Sequence, residues 1–180
     1  MNRICLLAML LVMLAMNANA APEYSIKAGY ILLFTRYVEW PQDAFAAPDT
    51  SIVVCILGND PFGSVLDQTL AGQRSQGRSL SVRRIMNAKT AVGCHVVFMG
   101  TKLLAEANRW LEELASHPIL TITEQPDTLL QGAALCFVTE NDGEQPRIRF
   151  EASLASMQRA KLTASSQMLV AARKVHGVGM

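Results

Sequence analysis

The chain has 180 residues, of which 51% are apolar and 17% are charged, and its formal net charge is +1. These values suit one compact domain. Its 7 prolines and 11 glycines are too few for a disordered or collagen-like chain. A charge near zero also disfavours a nucleic-acid binder that works by neutralising phosphates. We therefore expect one globular domain that binds no nucleic acid.

The first 20 residues have the order of a secretory signal peptide. Arg3 is the positive end, residues 4–15 are apolar, and Ala18-Asn19-Ala20 supplies small residues before a cleavage point. The alternative is an uncleaved membrane anchor, but a spanning helix needs about 20 apolar residues and this run is shorter. We therefore expect export, with residues 1–20 removed and residues 21–180 forming a single domain.

The exported chain keeps three cysteines, Cys55, Cys94 and Cys136. Thiols in an oxidising compartment tend to pair, so one is left over. Cys55 lies in one apolar run and Cys94 opens another, as neighbouring strands would, which favours a Cys55–Cys94 disulfide. Closing such a loop is worth roughly 4 kcal/mol in the chain-entropy model. The alternative is three buried free thiols.

The first half of the exported chain predicts one long helix and then strands. Apolar residues recur at helical spacing over residues 24–40, and a proline follows. The continuous apolar run at 52–57 suits a strand that is buried on both faces. Residues 60–72 have a capping aspartate, an apolar stripe and a closing glycine, which is typical of a helix. Residues 80–85 predict a second, more exposed strand.

The second half predicts alternating strands and helices. Strands are expected at residues 95–99, 119–123, 133–139 and 148–150, and helices after Thr101 and over 154–161 and 166–175. The turn at 141–143 makes the last two strands antiparallel. This α/β pattern predicts a three-layer α/β/α sandwich with a mostly parallel sheet of about six strands and an antiparallel edge hairpin.

No set of residues suggests catalysis. Cys94 and His95 are adjacent, but neighbours on a strand point to opposite faces. The turn at 58–63 lacks the Lys-Ser/Thr of a phosphate-binding loop and the third glycine of a dinucleotide fingerprint, so a structural turn is the better interpretation. The three histidines are scattered and no closely spaced Cys/His set exists. We predict no metal, no cofactor and no enzymatic activity.

Basic residues form two clusters along the chain. The first, between Asp67 and Glu106, contains no acid and comprises Arg74, Arg78, Arg83, Arg84, Lys89 and Lys102. The second comprises Arg147, Arg149, Arg159 and Lys161. A basic face suits an acidic partner or a phosphate-bearing ligand, and a solvated surface is the alternative for the first cluster. We expect the second cluster to approach aromatic side chains, which suits anion binding.

Five segments in order resemble one known family. They are KAGY (27–30) with YVEWP (37–41), LGNDPFG (57–63), GR (77–78) with VRR (82–84), CHVVF (94–98), and a tail with FE (150–151), RA (159–160), SSQML (165–169) and AR (172–173). On these segments the chain resembles the YfiR-like periplasmic proteins. The likeness extends over nearly the whole exported chain.

The resemblance implies a periplasmic, non-enzymatic repressor that binds the periplasmic part of an inner-membrane diguanylate cyclase and lowers cyclic-di-GMP synthesis. It also implies a homodimer, release by an outer-membrane-associated lipoprotein, and disulfide-dependent folding. The chain departs from the family in two places. Residues 129–135 lack the cysteine that would pair with Cys136, and Lys161 stands where a small residue is expected.

A partner or ligand surface should contain exposed aromatic and charged side chains. We predict that it comprises Tyr37, Glu39, Trp40, Arg149, Glu151 and Arg159. The alternatives are that Trp40 caps the core and that Glu151 pairs with a neighbouring arginine. A second possible function is a small-molecule sensor for a nucleotide-like or aromatic metabolite. A third, an exported hydrolase, lacks an identifiable nucleophile and base.

Overall fold

The computed structural model describes residues 20–100, 104–141 and 146–177. Apart from Ala20, the predicted signal peptide lies outside the described residues, and so does Thr101. The described helices are α1 (Ala20–Tyr37), α2 (Ser64–Leu70), α3 (Leu104–Leu114), α4 (Thr128–Gln131), α5 (Leu154–Arg159) and α6 (Ser166–Ala171). The strands are β1 (Val38–Glu39), β2 (Ile52–Gly58), β3 (Arg74–Ser75), β4 (Arg78–Ile85), β5 (Val96–Gly100), β6 (Leu120–Thr123), β7 (Leu135–Asn141), β8 (Pro146–Ser153), β9 (Thr163–Ala164) and β10 (Lys174–His176).

One large sheet organises the fold, in the order β10-β8-β7-β6-β5-β2-β4-β3. Strands β4, β2, β5, β6 and β7 run parallel, whereas β8 is antiparallel to β7. The α/β class is therefore confirmed, but the predicted count of about six strands is too low because the short strands β3 and β10 extend both ends. The β7–β8 hairpin is also not at the edge, since β10 pairs with the far side of β8.

Side chains of the central strand β2 point alternately to the two faces of the sheet, which divides the core in two. Val54 and Ile56 face a large apolar cluster to which α1 and α2 contribute. Cys55 and Leu57 face the other side, where they meet a second cluster that includes Trp110 of α3. The continuous apolar run is thus buried on both faces as predicted. The three-layer description of the fold stays a prediction.

The opening helix ends earlier than its apolar spacing predicts. Proline disfavours helical backbone in the residue before it, and residues 38–39 leave the helix to pair with β9 as β1. The β3–β4 turn also closes the end of α1. The Gln76 side-chain amide donates to the carbonyl oxygens of Thr35 (2.9 Å) in the last turn of α1 and of Val38 (2.6 Å) just beyond it, so a distant turn satisfies carbonyls at the end of the helix.

Candidate functional site

The structure contains the predicted Cys55–Cys94 disulfide. Cys55 lies on β2, Cys94 lies two residues before β5, and their Cα atoms are 5.9 Å apart. Both residues are buried in the core cluster beneath α3. The bridge therefore joins two neighbouring parallel strands at the centre of the sheet.

Cys136 is the remaining cysteine of the described residues, and it is free and buried. Burial raises the pKa of its thiol to about 11. The group is therefore protonated near neutral pH. It packs against Leu129 and Val138 in a small cluster of its own. The upstream residue that contacts it is therefore a leucine and not a cysteine with which it could form a disulfide.

Trp40 is a core residue and not a surface aromatic. Its side chain is 8% exposed, and its indole Nε1–H donates to the carbonyl oxygen of His95 at 3.1 Å. The imidazole of His95 accepts from the Val53 amide through Nδ1 at 3.1 Å. Its Nε2 therefore carries the proton and donates to the Ala44 carbonyl at 3.2 Å. The expectation that Trp40 is exposed is wrong, because satisfying the indole inside the core is more favourable.

Burial also controls the protonation of His95. The ring is 2% exposed and stacks on Phe45 with centroids 4.4 Å apart. Desolvation of the charged form lowers the pKa of His95, and the positive charges of Arg78 and Arg83 act in the same direction. His95 is thus a neutral structural group that connects the 42–45 loop to the sheet.

Glu151 is likewise inside the fold, with 7% of its surface exposed. Its carboxylate accepts from Arg173 Nη1 at 2.9 Å and lies 2.7 Å from His176 Nε2. These contacts hold the end of the chain against β8. The expectation of an exposed Glu151 is therefore wrong, and its pairing with a neighbouring arginine is the arrangement found. Arg149, two residues away on β8, is half-buried, and its Nε atom is buried without a hydrogen-bond partner among the described residues.

The other three predicted surface residues lie near the β1–β9 pair. Glu39 is exposed and pairs in register with Thr163, and the half-buried Tyr37 accepts from the Ser165 amide at 2.8 Å through its carbonyl. Arg159 ends α5 and is exposed. The predicted residues therefore occupy two parts of the fold, one at β1 and α5 and one on β8.

Arg159 lines two adjoining cavities, which we call the Arg159 groove. The cavities measure about 210 and 190 Å³ and share His117, Arg159 and Ala160 in their linings. Arg159 donates to the Ser156 hydroxyl at 3.1 Å, and no described carboxylate lies within ion-pair distance of it. The linings also include Glu112 and Asp43, so the groove holds charges of both signs.

A family model of YfiR/HmsC-like proteins matches residues 24–173. The chain belongs to the YfiR/HmsC-like family. Members of this family are periplasmic regulators of diguanylate cyclase signalling rather than enzymes. The match covers all of the strands and helices described above except β10 and the first residues of α1.

Lys161 marks where this member of the YfiR/HmsC-like family departs from the expected small residue. Its backbone has φ +56°, in the left-handed region that favours glycine. The side chain is exposed and lines the smaller cavity of the Arg159 groove. The chain therefore accepts local strain and places a second cation beside Arg159.

Sequence reasoning missed a buried charged cluster at the start of α1. Lys27 is 4% exposed and binds the carboxylates of Glu23 and Glu124, while the Tyr24 hydroxyl donates to Glu124 at 3.3 Å. Burial and the nearby carboxylates raise the pKa of Tyr24. The spacing of Glu23 and Lys27 is a helical i,i+4 signal, but nothing in the sequence indicates that Glu124 completes the cluster.

Two further observations bear on the chemistry that this YfiR/HmsC-like chain could perform. Across the described ranges, no group of three or more His, Cys, Asp or Glu residues is arranged to hold a metal ion. None of the helices that the structure describes is long and apolar enough to cross a bilayer.

Proposed function

We propose that this protein binds the periplasmic part of an inner-membrane diguanylate cyclase and represses cyclic-di-GMP synthesis. The observation that carries the proposal is membership of the YfiR/HmsC-like family over residues 24–173. The signal-peptide pattern of residues 1–20 supports it, because it would deliver the domain to the compartment where such a cyclase exposes its sensory part. We further propose that the repressor is a homodimer and that an outer-membrane-associated lipoprotein releases it from the cyclase.

The partner surface that we propose contains Glu39 and Arg159, with Tyr37 at its border. Glu39 and Arg159 are exposed, and Arg159 has no ion pair with a described carboxylate, so its charge can pair with an acidic group of the cyclase. Arg149 lies half-buried on β8, in the other part of the fold, and its unpartnered Nε is itself buried, so we leave it outside this surface. Trp40 and Glu151 are buried beneath the surface and do not contact a partner. Each forms a hydrogen bond that holds a segment carrying an exposed residue.

A capture experiment tests this proposal. Oxidised protein of residues 21–180 is immobilised, incubated with detergent-solubilised inner-membrane proteins, and the captured proteins are identified by mass spectrometry. We expect a diguanylate cyclase to be captured, and we expect Arg159→Ala to lower the recovered amount at least tenfold.

Arg109→Ala is the matched control, because Arg109 is an exposed arginine on α3, where it lies 3.8 Å from the carboxylate of Glu106. It should leave capture unchanged. Capture of no cyclase by the native protein would overturn the proposed function. Equal loss for Arg109→Ala and Arg159→Ala would overturn the proposed surface.

The Arg159 groove favours a second candidate, a sensor for a small nucleotide-like or aromatic metabolite. The groove combines cavities of about 210 and 190 Å³ with two cations, Arg159 and Lys161, and two acids, Glu112 and Asp43. Ligand at 100 times its Kd adds about 2.7 kcal/mol to the stability of the folded state. A thermal-shift screen of nucleotides and aromatic amino acids should then give a stabilisation that Arg159→Ala abolishes. Absence of any shift would favour recognition of protein partners alone.

A further inference from the structure

Strand β4 has an open edge along most of its length. Residues 80–85 pair with β2 on the inner side. On the outer side β3 pairs only with Arg78 and Ser79, and no backbone hydrogen bond from another described residue reaches residues 80–85. An unpaired strand edge of this length is a template on which another extended segment can form hydrogen bonds.

The β3–β4 turn determines which groups of β4 point outward. Its two central residues, Gln76 (φ 52°) and Gly77 (φ 77°), both have positive φ, as a type I′ hairpin requires. In a two-residue hairpin the flanking pair, here Ser75 and Arg78, exchanges both backbone hydrogen bonds, so the backbone groups of Arg78 face β3. The edge toward which the backbone N–H and C=O groups point alternates from one residue to the next along a strand. The outward N–H and C=O groups beyond β3 are therefore those of three residues, Leu80, Val82 and Arg84.

The two arginines on this stretch do not cover the edge. Arg84 turns onto one face of the sheet, where it binds Asp60 at 2.9 Å and Asp67 at 2.5 Å. This contact lowers the pKa of Asp67. Arg83 turns onto the opposite face, where it donates to the Val92 carbonyl at 2.6 Å and to Cys94 Sγ at 2.9 Å. The edge between them stays accessible.

The surroundings of the edge are basic. Residues 68–105 contain no Asp or Glu. Arg74, Arg78, Arg83 and Lys89 form no ion pair with a carboxylate within the described ranges, and the bonds of the three arginines go to backbone carbonyls or sulfur. These charges attract an acidic segment and repel a second copy of the same edge.

Two large apolar side chains lie exposed beside the basic residues. Met86, which follows β4 directly, is 79% exposed, and Val92, whose carbonyl binds Arg83, is 74% exposed. A strand added to an edge places alternate side chains on each face. Because Arg83 donates to the Val92 carbonyl, the face of an added strand that meets Val92 also meets this arginine, so both apolar and acidic side chains suit that face.

We propose that the outer edge of β4 binds an extended acidic segment of another protein, which adds to the sheet as a strand in the row that β3 begins. The backbone groups of Leu80, Val82 and Arg84 supply the hydrogen bonds. Arg74, Arg83 and Lys89 select acidic side chains, and Met86 and Val92 contact apolar ones. The inference goes beyond the proposed cyclase surface, which the edge adjoins: the Gln76 side chain of the β3–β4 turn donates to the Val38 carbonyl, next to Tyr37 and Glu39.

Selection from a phage library of random 12-residue peptides tests the proposal on the oxidised protein. We expect enriched peptides that combine Asp or Glu with apolar residues. Val82→Pro removes one outward N–H without removing a bond to β2, so it should weaken binding at least tenfold. Val82→Ala is the matched control, because it shortens the side chain more but keeps the N–H, and it should bind normally. Far-UV circular dichroism confirms the fold of both variants.

Amide hydrogen exchange supplies a readout specific to strand addition. In the free protein the amides of Leu80, Val82 and Arg84 should exchange fast, whereas those of Ser81 and Arg83, which bond to β2, should be protected. An enriched peptide should slow exchange at the first three only. Arg74→Gln with Lys89→Gln should weaken its binding by about three- to tenfold.

Three results would overturn the inference. One is a selection in which Val82→Pro enriches the same peptides as the native protein. Another is a set of enriched peptides without acidic residues or without protection at the three amides. The last is concentration-dependent self-association that Val82→Pro abolishes, since it would make a second copy the occupant of the edge. Arg159→Ala should have no effect in any of these assays, which separates this test from that of the proposed function.

Discussion

Breaking the Cys55–Cys94 disulfide should cost about 4 kcal/mol of folding free energy. The cysteines are 39 residues apart in sequence, and for a loop of this length the chain-entropy model gives about 13 cal/mol/K, or about 4 kcal/mol at 25 °C. The loop includes α2, β3 and β4, so reduction frees a large part of the unfolded chain. A typical domain has a stability of about 5–15 kcal/mol, so the reduced protein should be only marginally folded.

Urea unfolding of the oxidised and reduced protein measures this difference. Trp40 and Trp110 are both buried, so their fluorescence should report loss of the core. With a slope of about 2 kcal/mol/M, a loss of 4 kcal/mol lowers the midpoint by about 2 M. Reductant acts on this bridge alone among the described cysteines, since Cys136 is already free.

Two variants control the experiment. Cys136→Ala should show the same difference between oxidised and reduced protein as the native chain. Cys55→Ala with Cys94→Ala should be insensitive to reductant and as unstable as the reduced protein, or slightly more so because two buried sulfurs are lost. A measured difference below about 1 kcal/mol would refute the reasoning, because the loop would then gain no entropy on reduction.

Three further predictions concern Trp40, His95 and Lys161. Trp40→Phe removes the indole donor, but the His95 carbonyl still accepts from the Leu120 amide at 2.9 Å. Urea unfolding should therefore show a loss of stability of about 1–2 kcal/mol, while the folded variant captures the cyclase as the native protein does. Loss of capture would return Trp40 to the partner surface. Burial lowers the pKa of His95, so the unfolded chain binds its proton at higher pH than the folded chain does. The contribution of His95 to folding stability is therefore complete above about pH 6.5 and is lost as pH falls below it, by up to about 1.4 kcal/mol per pH unit. His95→Gln should flatten this pH dependence of stability between pH 7 and 5. His117→Gln, at an exposed position, should not. Because Lys161 has positive φ, Lys161→Gly should be about 1 kcal/mol more stable than Lys161→Ala in the same unfolding assay, and equal stabilities would contradict the left-handed backbone.

The predictable parts of the fold are those whose apolar pattern is continuous. The run at 52–57 is a central strand with both faces buried, and the cysteine within it is bonded as its position between two apolar runs indicates. Strands β3 and β10 were missed because two or three residues are too few to show periodicity. Their existence depends on pairing with β4 and β8, which the local sequence does not encode.

Burial of individual polar residues was the least predictable property of the candidate site. Trp40 and Glu151 both carry groups that suit a surface, yet each finds its partners inside, from the carbonyl of His95 and from Arg173. Those partners are 55 and 22 residues away. Hydrogen bonding between residues so far apart in sequence is a property of the tertiary fold. Sequence reasoning could therefore identify these residues but not whether they are buried or exposed.

The isolation of Cys136 has a practical consequence for spectroscopy. The other two described cysteines are bonded, and burial raises the pKa of the Cys136 thiol to about 11, so this thiol is protonated at pH 7. The described part of the folded protein thus offers thiol-reactive dyes and spin labels almost no native target. A single cysteine introduced at an exposed position such as Ser81 can therefore be labelled selectively without removing any natural cysteine.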